Sequence, residues 1–165
     1  MNKKRLVVAF SGPSNSGKTT AIVRVASILN DSGFKVCIVK HDPKDKAMFD
    51  REGKDSFKFS QTGADVAVVS PNKTTIFKKD SSTIDELISI FNDFDYLLVE
   101  GLKTLELPRI SIFRNKLDDS YFEVSNALAI DDSINKKDIP KSLDILDLND
   151  PLEIIKWIDK NAKRV

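Results

Sequence analysis

The chain has 165 residues, which is enough for one domain with a sizeable core and too few for two ordinary domains. Apolar residues make up 41% of it and charged residues 31%, as in soluble globular proteins, so disordered and fibrous classes are excluded. The 26 lysines and arginines nearly balance 25 acids, and the net charge of +1 gives no general attraction to nucleic acid or to an anionic membrane.

The N-terminus is basic, but the apolar run that follows covers only residues 6–10. This run is too short for a signal peptide or a membrane span, so we expect a cytoplasmic protein. Cys37 is the one cysteine, and there is one histidine, so neither an internal disulfide nor a structural zinc site can form. We expect Cys37 to be a small buried side chain in a strand.

The first predicted elements form a βαβ unit. The continuous apolar run at residues 6–10 predicts a strand covered on both faces. Residues 19–30 carry apolar side chains at helical spacing, and Gly33 is placed to end that helix. Residues 36–39 predict a second buried strand, which should run parallel to the first.

Six further strands are predicted by short apolar runs bounded by turn residues. They lie at residues 66–69, 74–77, 96–99, 110–113, 127–130 and 145–148. The first two are close enough in sequence for a hairpin. Ser111 interrupts the run at residues 110–113 and predicts a half-exposed strand there.

Three more helices complete the pattern. Residues 55–62 predict a short helix, and a capping pattern at residues 82–85 opens another. The closing helix begins at Pro151 and is expected to bury Leu152 and Ile155, with Ile158 as a third, and to fray after residue 160. These elements predict a single α/β domain over residues 1–165. It should have three layers around a mainly parallel sheet, with a hairpin or antiparallel strands at an edge.

Residues 12–19 match the P-loop pattern G-x-x-x-x-G-K-[ST] in full, between a predicted strand and an amphipathic helix. The two glycines let backbone N–H groups turn inward as an anion nest, and the helix start adds its dipole. We expect Lys18 between the β- and γ-phosphates of a purine nucleoside triphosphate, and the Thr19 hydroxyl on Mg²⁺. The expected nucleotide contacts are Gly12, Ser14, Asn15, Ser16, Gly17, Lys18, Thr19 and Thr20.

Other candidate residues follow predicted parallel strands, because ligands bind beyond the carboxyl ends of such strands. Glu100 follows one strand and is predicted to hold a magnesium-bound water or to orient the attacking group. Asp42 follows another and is the second candidate, as magnesium ligand or base. Asp95 resembles a Walker B aspartate, but it lies at the other end of its strand, about 16 Å away, and is rejected. His41 is either a general base, a nucleotide contact or a bystander.

Several segments together resemble the MobB family, the GTP-binding accessory proteins of molybdopterin-guanine dinucleotide biosynthesis. Besides the P-loop they are residues 39–41, 50–56, 62–64, 98–103, 108–110, 113–114 and 146–150, in order over almost the whole chain. The sequences Gly-Lys-Asp-Ser at 53–56 and Val-Glu-Gly-Leu-Lys at 99–103 are the most distinctive. The family usually carries two histidines where this chain has His41 and Asp42.

The resemblance implies a P-loop GTPase-like fold, weak GTP hydrolysis, frequent dimerisation and partnership with MobA, the guanylyltransferase that joins GMP to molybdopterin. It implies further site residues: Asp50, Gly53, Lys54, Asp55 and Ser56. Asp132, next to Asp131, resembles the family's acid after its strand. A carboxylate there could accept from guanine N1–H and the exocyclic amine, which would favour GTP over ATP. The loop at 41–54 could contact a molybdopterin, a partner protein or nothing.

Three functions fit this pattern. We favour a GTP-binding accessory protein of molybdenum cofactor maturation, with slow or partner-dependent hydrolysis. A small-molecule kinase would use the same P-loop, with Asp42 as base, but the cationic lid that kinases need is not obvious. A nucleotide-regulated binding module would not turn over productively. A homodimer is implied only by the resemblance, with the strand at 110–113 as a candidate contact.

Overall fold

The computed structural model describes residues 3–165, so the first two residues of the basic N-terminus lie outside it. These residues form two compact units. The first combines the chain up to His41 with Asp93–Val165, and the second is Asp42–Asn92. The single domain expected over residues 1–165 stays a prediction. No helix among the described residues is long and apolar enough to cross a membrane.

Thirteen helices and strands follow one another within residues 3–165. In order they are β1 (Leu6–Ser11), α1 (Lys18–Asp31), β2 (Val36–Lys40), α2 (Asp55–Gln61), β3 (Val66–Val69), β4 (Thr74–Phe77), α3 (Ile84–Phe91), β5 (Tyr96–Glu100), β6 (Arg109–Phe113), β7 (Ala127–Ile130), β8 (Asp144–Asp147), α4 (Pro151–Asn161) and β9 (Lys163–Arg164). Short 3₁₀ turns lie between β6 and β7 and between β7 and β8.

The first unit is built on a seven-stranded sheet in the order β2-β5-β1-β6-β7-β8. These six strands are parallel, and β9 pairs with β1 in the antiparallel direction. Val8, Phe10 and Leu98 pack with α1 and α4 on one face, and Leu128 and Ile130 belong to a second cluster. Side chains alternate along a strand, so the two clusters cover opposite faces and make the three expected layers.

The expectation that β6 is half-exposed is wrong, because all five of its residues are buried. The strand lies between β1 and β7, and both of its faces are covered. Ser111 is accommodated there because its hydroxyl shares a 2.6 Å hydrogen bond with the Ser125 hydroxyl. A strand in this position offers no surface for a dimer contact, so that part of the dimer prediction is also wrong.

Three smaller expectations also need correction. β2 is at the edge of the sheet, so Ile38 is 44% exposed and Cys37 only partly buried. Leu152 is 54% exposed, because α4 turns Ile154 and Ile158 towards the sheet instead. The chain does not fray at its end, since β9 pairs with the start of β1.

The second unit contains α2, the β3–β4 hairpin and α3. The hairpin forms a two-stranded sheet of its own. The predicted helix α3 is present, and its capping box joins Thr83 to Glu86, one residue later than the predicted pattern at residues 82–85. Val66 is the one large apolar side chain buried in the described residues of this unit. Several others are mostly exposed: Met48, Phe49, Phe59, Val69 and Ile76.

Candidate functional site

The P-loop joins β1 to α1 at the carboxyl edge of the parallel strands. Gly12 has a φ of 133°, and a Cβ at this position would lie 2.4 Å from the carbonyl oxygen of Ile112, so only glycine fits. Gly17, with a φ of 95°, directly precedes α1 and has no side chain with which to cap it. The first N–H groups of α1 are therefore available to an anion.

Two polar side chains of this loop are suited to a ligand. Ser16 is 3% exposed, and its hydroxyl has no hydrogen-bond partner among residues 3–165. The ammonium of Lys18 donates to the carbonyl oxygen of Pro13 at 2.8 Å. Because buried polar groups rarely stay unpaired, the Ser16 hydroxyl is suited to donate a hydrogen bond to a bound ligand. Phosphate oxygens would accept from Ser16 and offer Lys18 a stronger, charged partner than a carbonyl.

Positive charge exceeds negative charge around Lys18. Burial lowers the pKa of Lys18, the carboxylate of Glu100 opposes this shift, and the ammonium groups of Lys40 and Lys103 add to it. Glu100 is 14% exposed and lies 3.3 Å from the ammonium of Lys40. Three lysines thus share one carboxylate, and a polyanion bound here would relieve their mutual repulsion.

Backbone contacts hold the ends of three strands together at this edge. The N–H of His41 donates to the carbonyl oxygen of Glu100 at 3.0 Å, and that of Gly101 donates to Phe10 at 2.9 Å. A Cβ on Gly101 would lie 3.0 Å from the Cβ of His41, so glycine allows this close approach. Glu100 is thereby fixed at the end of β5, on the edge that carries the P-loop. We call this region, the carboxyl ends of the parallel strands together with the P-loop, the P-loop edge.

Arg114 lines two sizeable clefts beside the P-loop. The smaller has a volume of about 410 Å³ and is lined by Asn15, Gly17, Lys18, Thr19, Thr20 and Arg114. The larger, about 1050 Å³, extends from Pro13 along the segments at 114–119 and 133–138. Both volumes fall in the range of small-molecule sites.

Arg114 connects the P-loop edge to the residues after β7. Its Nε lies 3.0 Å from the carboxylate of Asp131. Asp131 also accepts from the backbone N–H and the hydroxyl of Ser133, and this pairing, with Arg114, lowers the pKa of Asp131. The neighbouring Asp132 is exposed. Of the two adjacent acids, Asp131 is thus already engaged by the protein.

Asp42 belongs to the second unit. Its carboxylate accepts the backbone N–H groups of Lys46 and Ala47, each at 2.7 Å, and that of Lys44 at 3.3 Å. These bonds order the turn after β2, which gives Asp42 a local structural role.

The other residues that the family resemblance implies also lie in the second unit. Lys54 precedes α2, and Asp55 pairs with Lys58 at 3.4 Å in its first turn. One carboxylate oxygen of Asp50 accepts from the Ser56 hydroxyl at 2.9 Å. The other oxygen is buried without a partner among the described residues.

Asp95 lies at the amino end of β5, the end opposite to Glu100. Its carboxylate accepts the backbone N–H groups of Lys4 at 3.2 Å and Lys35 at 2.9 Å. Its side chain therefore holds neighbouring strand starts together. This agrees with the rejection of a Walker B role.

Three basic residues of the first unit have no role predicted from the sequence, although they lie in segments that resemble the MobB family: Lys103, Arg109 and Arg114. The usable signal was that both arginines directly flank the apolar run at 110–113, one at each end of a strand. Their contacts depend on where β6 lies in the sheet, and the sequence does not show the strand order.

The donor set fits Mg²⁺ bound together with phosphate. Residues 3–165 contain no group of three or more His, Cys, Asp or Glu side chains able to hold a metal. A P-loop magnesium does not need one, because a single hydroxyl, phosphate oxygens and waters supply its ligands. Thr19 lines the smaller cleft and offers that hydroxyl.

Comparison with known proteins identifies the family of the chain. The family model described as molybdopterin guanine dinucleotide synthesis protein B, MobB, matches residues 7–131. The chain belongs to the MobB family. The molybdopterin-guanine dinucleotide biosynthesis adapter protein of Escherichia coli K12 is 28% identical over 169 residues, covering 93% of this chain and 94% of that protein. A relative from Methanocaldococcus jannaschii is 30% identical over 132 residues, but the match spans only 55% of its length and 76% of this chain.

Solved structures confirm the fold. Bacillus subtilis MobB superposes with a TM-score of 0.75 at 23% identity, covering 94% of this chain and 98% of that structure. The hydrogenase maturation factor HypB from Archaeoglobus fulgidus has a TM-score of 0.53 at 17% identity, over 94% of this chain and 87% of that one. The prediction of a P-loop NTPase-like α/β fold with a mainly parallel sheet is therefore confirmed.

Proposed function

We propose that the chain is a GTP-binding accessory protein of molybdopterin-guanine dinucleotide biosynthesis, with GTP hydrolysis that is slow or depends on a partner. Family membership supports the pathway. One observation supports the nucleotide site: the P-loop leaves the start of α1 uncapped and the buried Ser16 hydroxyl unpartnered, beside Lys18. A bound phosphate chain would satisfy all three groups.

Each residue of the P-loop edge has a definite task in this proposal. Backbone N–H groups of residues 14–19 donate to the phosphates, and Lys18 exchanges the Pro13 carbonyl for phosphate oxygens. Thr19 binds Mg²⁺, which neutralises phosphate charge when bound. Glu100 orients the attacking water or a magnesium-bound water. The second candidate from the sequence, Asp42, stays a prediction, since its carboxylate orders the turn after β2 in the second unit.

Guanine preference is assigned to Asp132. Its neighbour Asp131 is engaged by Arg114 and Ser133, whereas Asp132 is exposed after β7. A carboxylate accepts two N–H groups from guanine, which adenine does not present in that arrangement. Lys54 and Asp55 belong to the second unit, and their role as nucleotide contacts stays a prediction that the family resemblance implies.

Asp132→Asn is expected to lower the ratio of GTP to ATP affinity at least about fivefold, because a paired contact with a base contributes ~1–3 kcal/mol of discrimination. Asp131→Asn is the matched control, since it changes the adjacent acid and should leave the ratio unaltered. Calorimetric titration of both variants with each nucleotide measures the ratio. An unaltered ratio in the Asp132 variant would remove this residue as the base reader.

A single-turnover experiment tests the reaction class. Purified protein is loaded with GTP and Mg²⁺, and the products are separated over time. We expect GDP and free orthophosphate, slowly, and faster when the guanylyltransferase partner is added. Consumption of GTP only with a small hydroxylated acceptor would indicate a kinase. GTP that stays intact under every condition would indicate a binding module.

Two partners belong to the proposal: a MobA-type guanylyltransferase and a second copy of this chain. The second unit exposes several large apolar side chains, and Val69 and Ile76 belong to its two-stranded sheet. A two-stranded sheet is marginally stable alone, and its open edges can pair with another strand. The hairpin is therefore the proposed homodimer contact. The loop at residues 41–54 is the proposed contact for molybdopterin or for the guanylyltransferase.

Val69→Asp is expected to weaken the homodimer at least about tenfold, because it places a charge in an apolar contact. Val23→Asp is the control, since Val23 is 58% exposed on α1 in the first unit. Sedimentation equilibrium measures the dissociation constant of each. A wild-type protein that is monomeric, or a Val69 variant that dimerises unchanged, would contradict the contact.

A further inference from the structure

Arg109 is a buried cation that has no role in the proposed nucleotide site. It begins β6 and is 1% exposed, and burial lowers the pKa of its guanidinium. In the described part of the chain, all of its side-chain hydrogen bonds go to neutral oxygens. Burying a charge without a carboxylate is unfavourable, so such an arginine calls for a structural or functional reason.

The guanidinium connects the start of the P-loop to the loop after β5. Its Nη1 donates to the Ser11 hydroxyl at 2.7 Å and to the carbonyl oxygen of Gly101 at 2.8 Å. Its Nη2 donates to the carbonyl oxygens of Leu102 at 2.9 Å and Leu105 at 3.1 Å. Ser11 is the last residue before Gly12, so one planar group fixes the distance between the P-loop and residues 101–105.

The loop after β5 is held in a strained conformation. Leu102 has a φ of 49°, which a bulky side chain rarely adopts. Strain of this kind persists only where surrounding contacts enforce it, and such positions cluster at functional sites. Arg109 supplies those contacts, since three of its four bonds go to carbonyls of this loop. The loop follows Glu100 directly and carries Lys103, whose ammonium lies 3.4 Å from the centre of the Tyr121 ring.

We propose that Arg109 is a positioning residue for GTP hydrolysis, and that it holds Glu100 and the loop at residues 101–105 at the working distance from the P-loop. This inference rests on the proposed function and deepens it. In this proposal Arg109 acts through the backbone of the loop, because three of its hydrogen bonds go to carbonyl oxygens of residues 101–105. The phosphates are held by residues 12–19, whereas the attacking water depends on Glu100. Loosening the loop should therefore affect hydrolysis more than binding.

Arg109→Lys is the decisive variant. Lysine keeps the charge, but its single nitrogen cannot reach four acceptors spread over two guanidinium nitrogens. We expect the affinity for GTP with Mg²⁺ to stay within about threefold of wild type, and the single-turnover hydrolysis rate to fall at least about tenfold, because small misplacements of reacting groups have large effects on rate. Ser111→Ala is the matched control, because it also removes a buried polar group from β6. The hydroxyl that it removes is hydrogen-bonded to the Ser125 hydroxyl and not to the loop at residues 101–105.

Hydrogen exchange at residues 101–107 provides a second readout that does not need turnover. Faster exchange there in Arg109→Lys, with unchanged exchange in α4, supports the proposal. Unchanged exchange and unchanged hydrolysis overturn it, as does a parallel loss of binding, hydrolysis and thermal stability. If the wild type does not bind GTP, the proposed function itself is overturned. If the wild type hydrolyses GTP and Arg109→Lys hydrolyses it at the same rate, only this inference is overturned.

Discussion

Lys18→Ala is expected to weaken binding of GTP with Mg²⁺ at least about a hundredfold, or ~2.7 kcal/mol. The ammonium of Lys18 is partly buried within the P-loop, and within residues 3–165 its one hydrogen bond goes to the Pro13 carbonyl oxygen. Losing it removes the charged donor that would face the β- and γ-phosphates. The free energy of unfolding should change by no more than about 1 kcal/mol, because a single neutral-acceptor hydrogen bond is lost.

Lys35→Ala is the matched control for this variant. Lys35 pairs with Asp93 at 3.0 Å on the surface, at the amino end of β2. Like Lys18→Ala, this variant removes one positive charge from the first unit, but it does so at the amino ends of the parallel strands, away from the P-loop. Equal GTP affinity in Lys18→Ala and Lys35→Ala would show that the P-loop lysine does not bind phosphate.

Glu100→Gln is expected to slow single-turnover GTP hydrolysis at least about thirtyfold, because a positioned acid or base contributes ~10²–10⁴ to a rate. Affinity for GTP should change by less than about threefold. The amide keeps the shape of the side chain, and removing a carboxylate beside Lys18 and Lys40 makes the site more attractive to an anion. Rapid-quench kinetics on the loaded complex gives the rate, and calorimetry gives the affinity.

Glu106→Gln is the control for this change. Glu106 is an exposed acid six residues further along the chain, and it does not belong to the P-loop edge. Its variant should hydrolyse GTP at the wild-type rate. If Glu100→Gln lost affinity and rate in equal proportion, Glu100 would have a structural role at the end of β5 and no part in the reaction.

The local elements were predictable because their signals are local. The P-loop needs two glycines and a lysine at fixed spacing, and α3 begins where Thr83 and Glu86 form a capping box. The hairpin strands were found at their true bounds because turn residues delimit both apolar runs. Glu100 was placed at the P-loop edge by one general rule about the carboxyl ends of parallel strands.

What failed depends on the order of strands, which sequence spacing does not encode. Ser111 suggested an exposed face, but β6 occupies the middle of the sheet and a second hydroxyl satisfies this one. The apolar run at residues 36–39 predicts a buried strand, yet β2 forms an edge. Arg109 was overlooked for the same reason. Its four acceptors come from β1 and from the loop after β5, and only the folded chain brings them together.

The most direct test of the central claim is a calorimetric titration of the wild-type chain with GTP, with and without Mg²⁺, and with ATP under the same conditions. The P-loop geometry predicts one GTP bound per chain and tighter binding when Mg²⁺ is present. The assignment of Asp132 as the residue that reads the base predicts weaker binding of ATP. At ~1 mM nucleotide, even a binding free energy of about −4 kcal/mol would be detected. If neither nucleotide binds up to that concentration, the nucleotide site is contradicted.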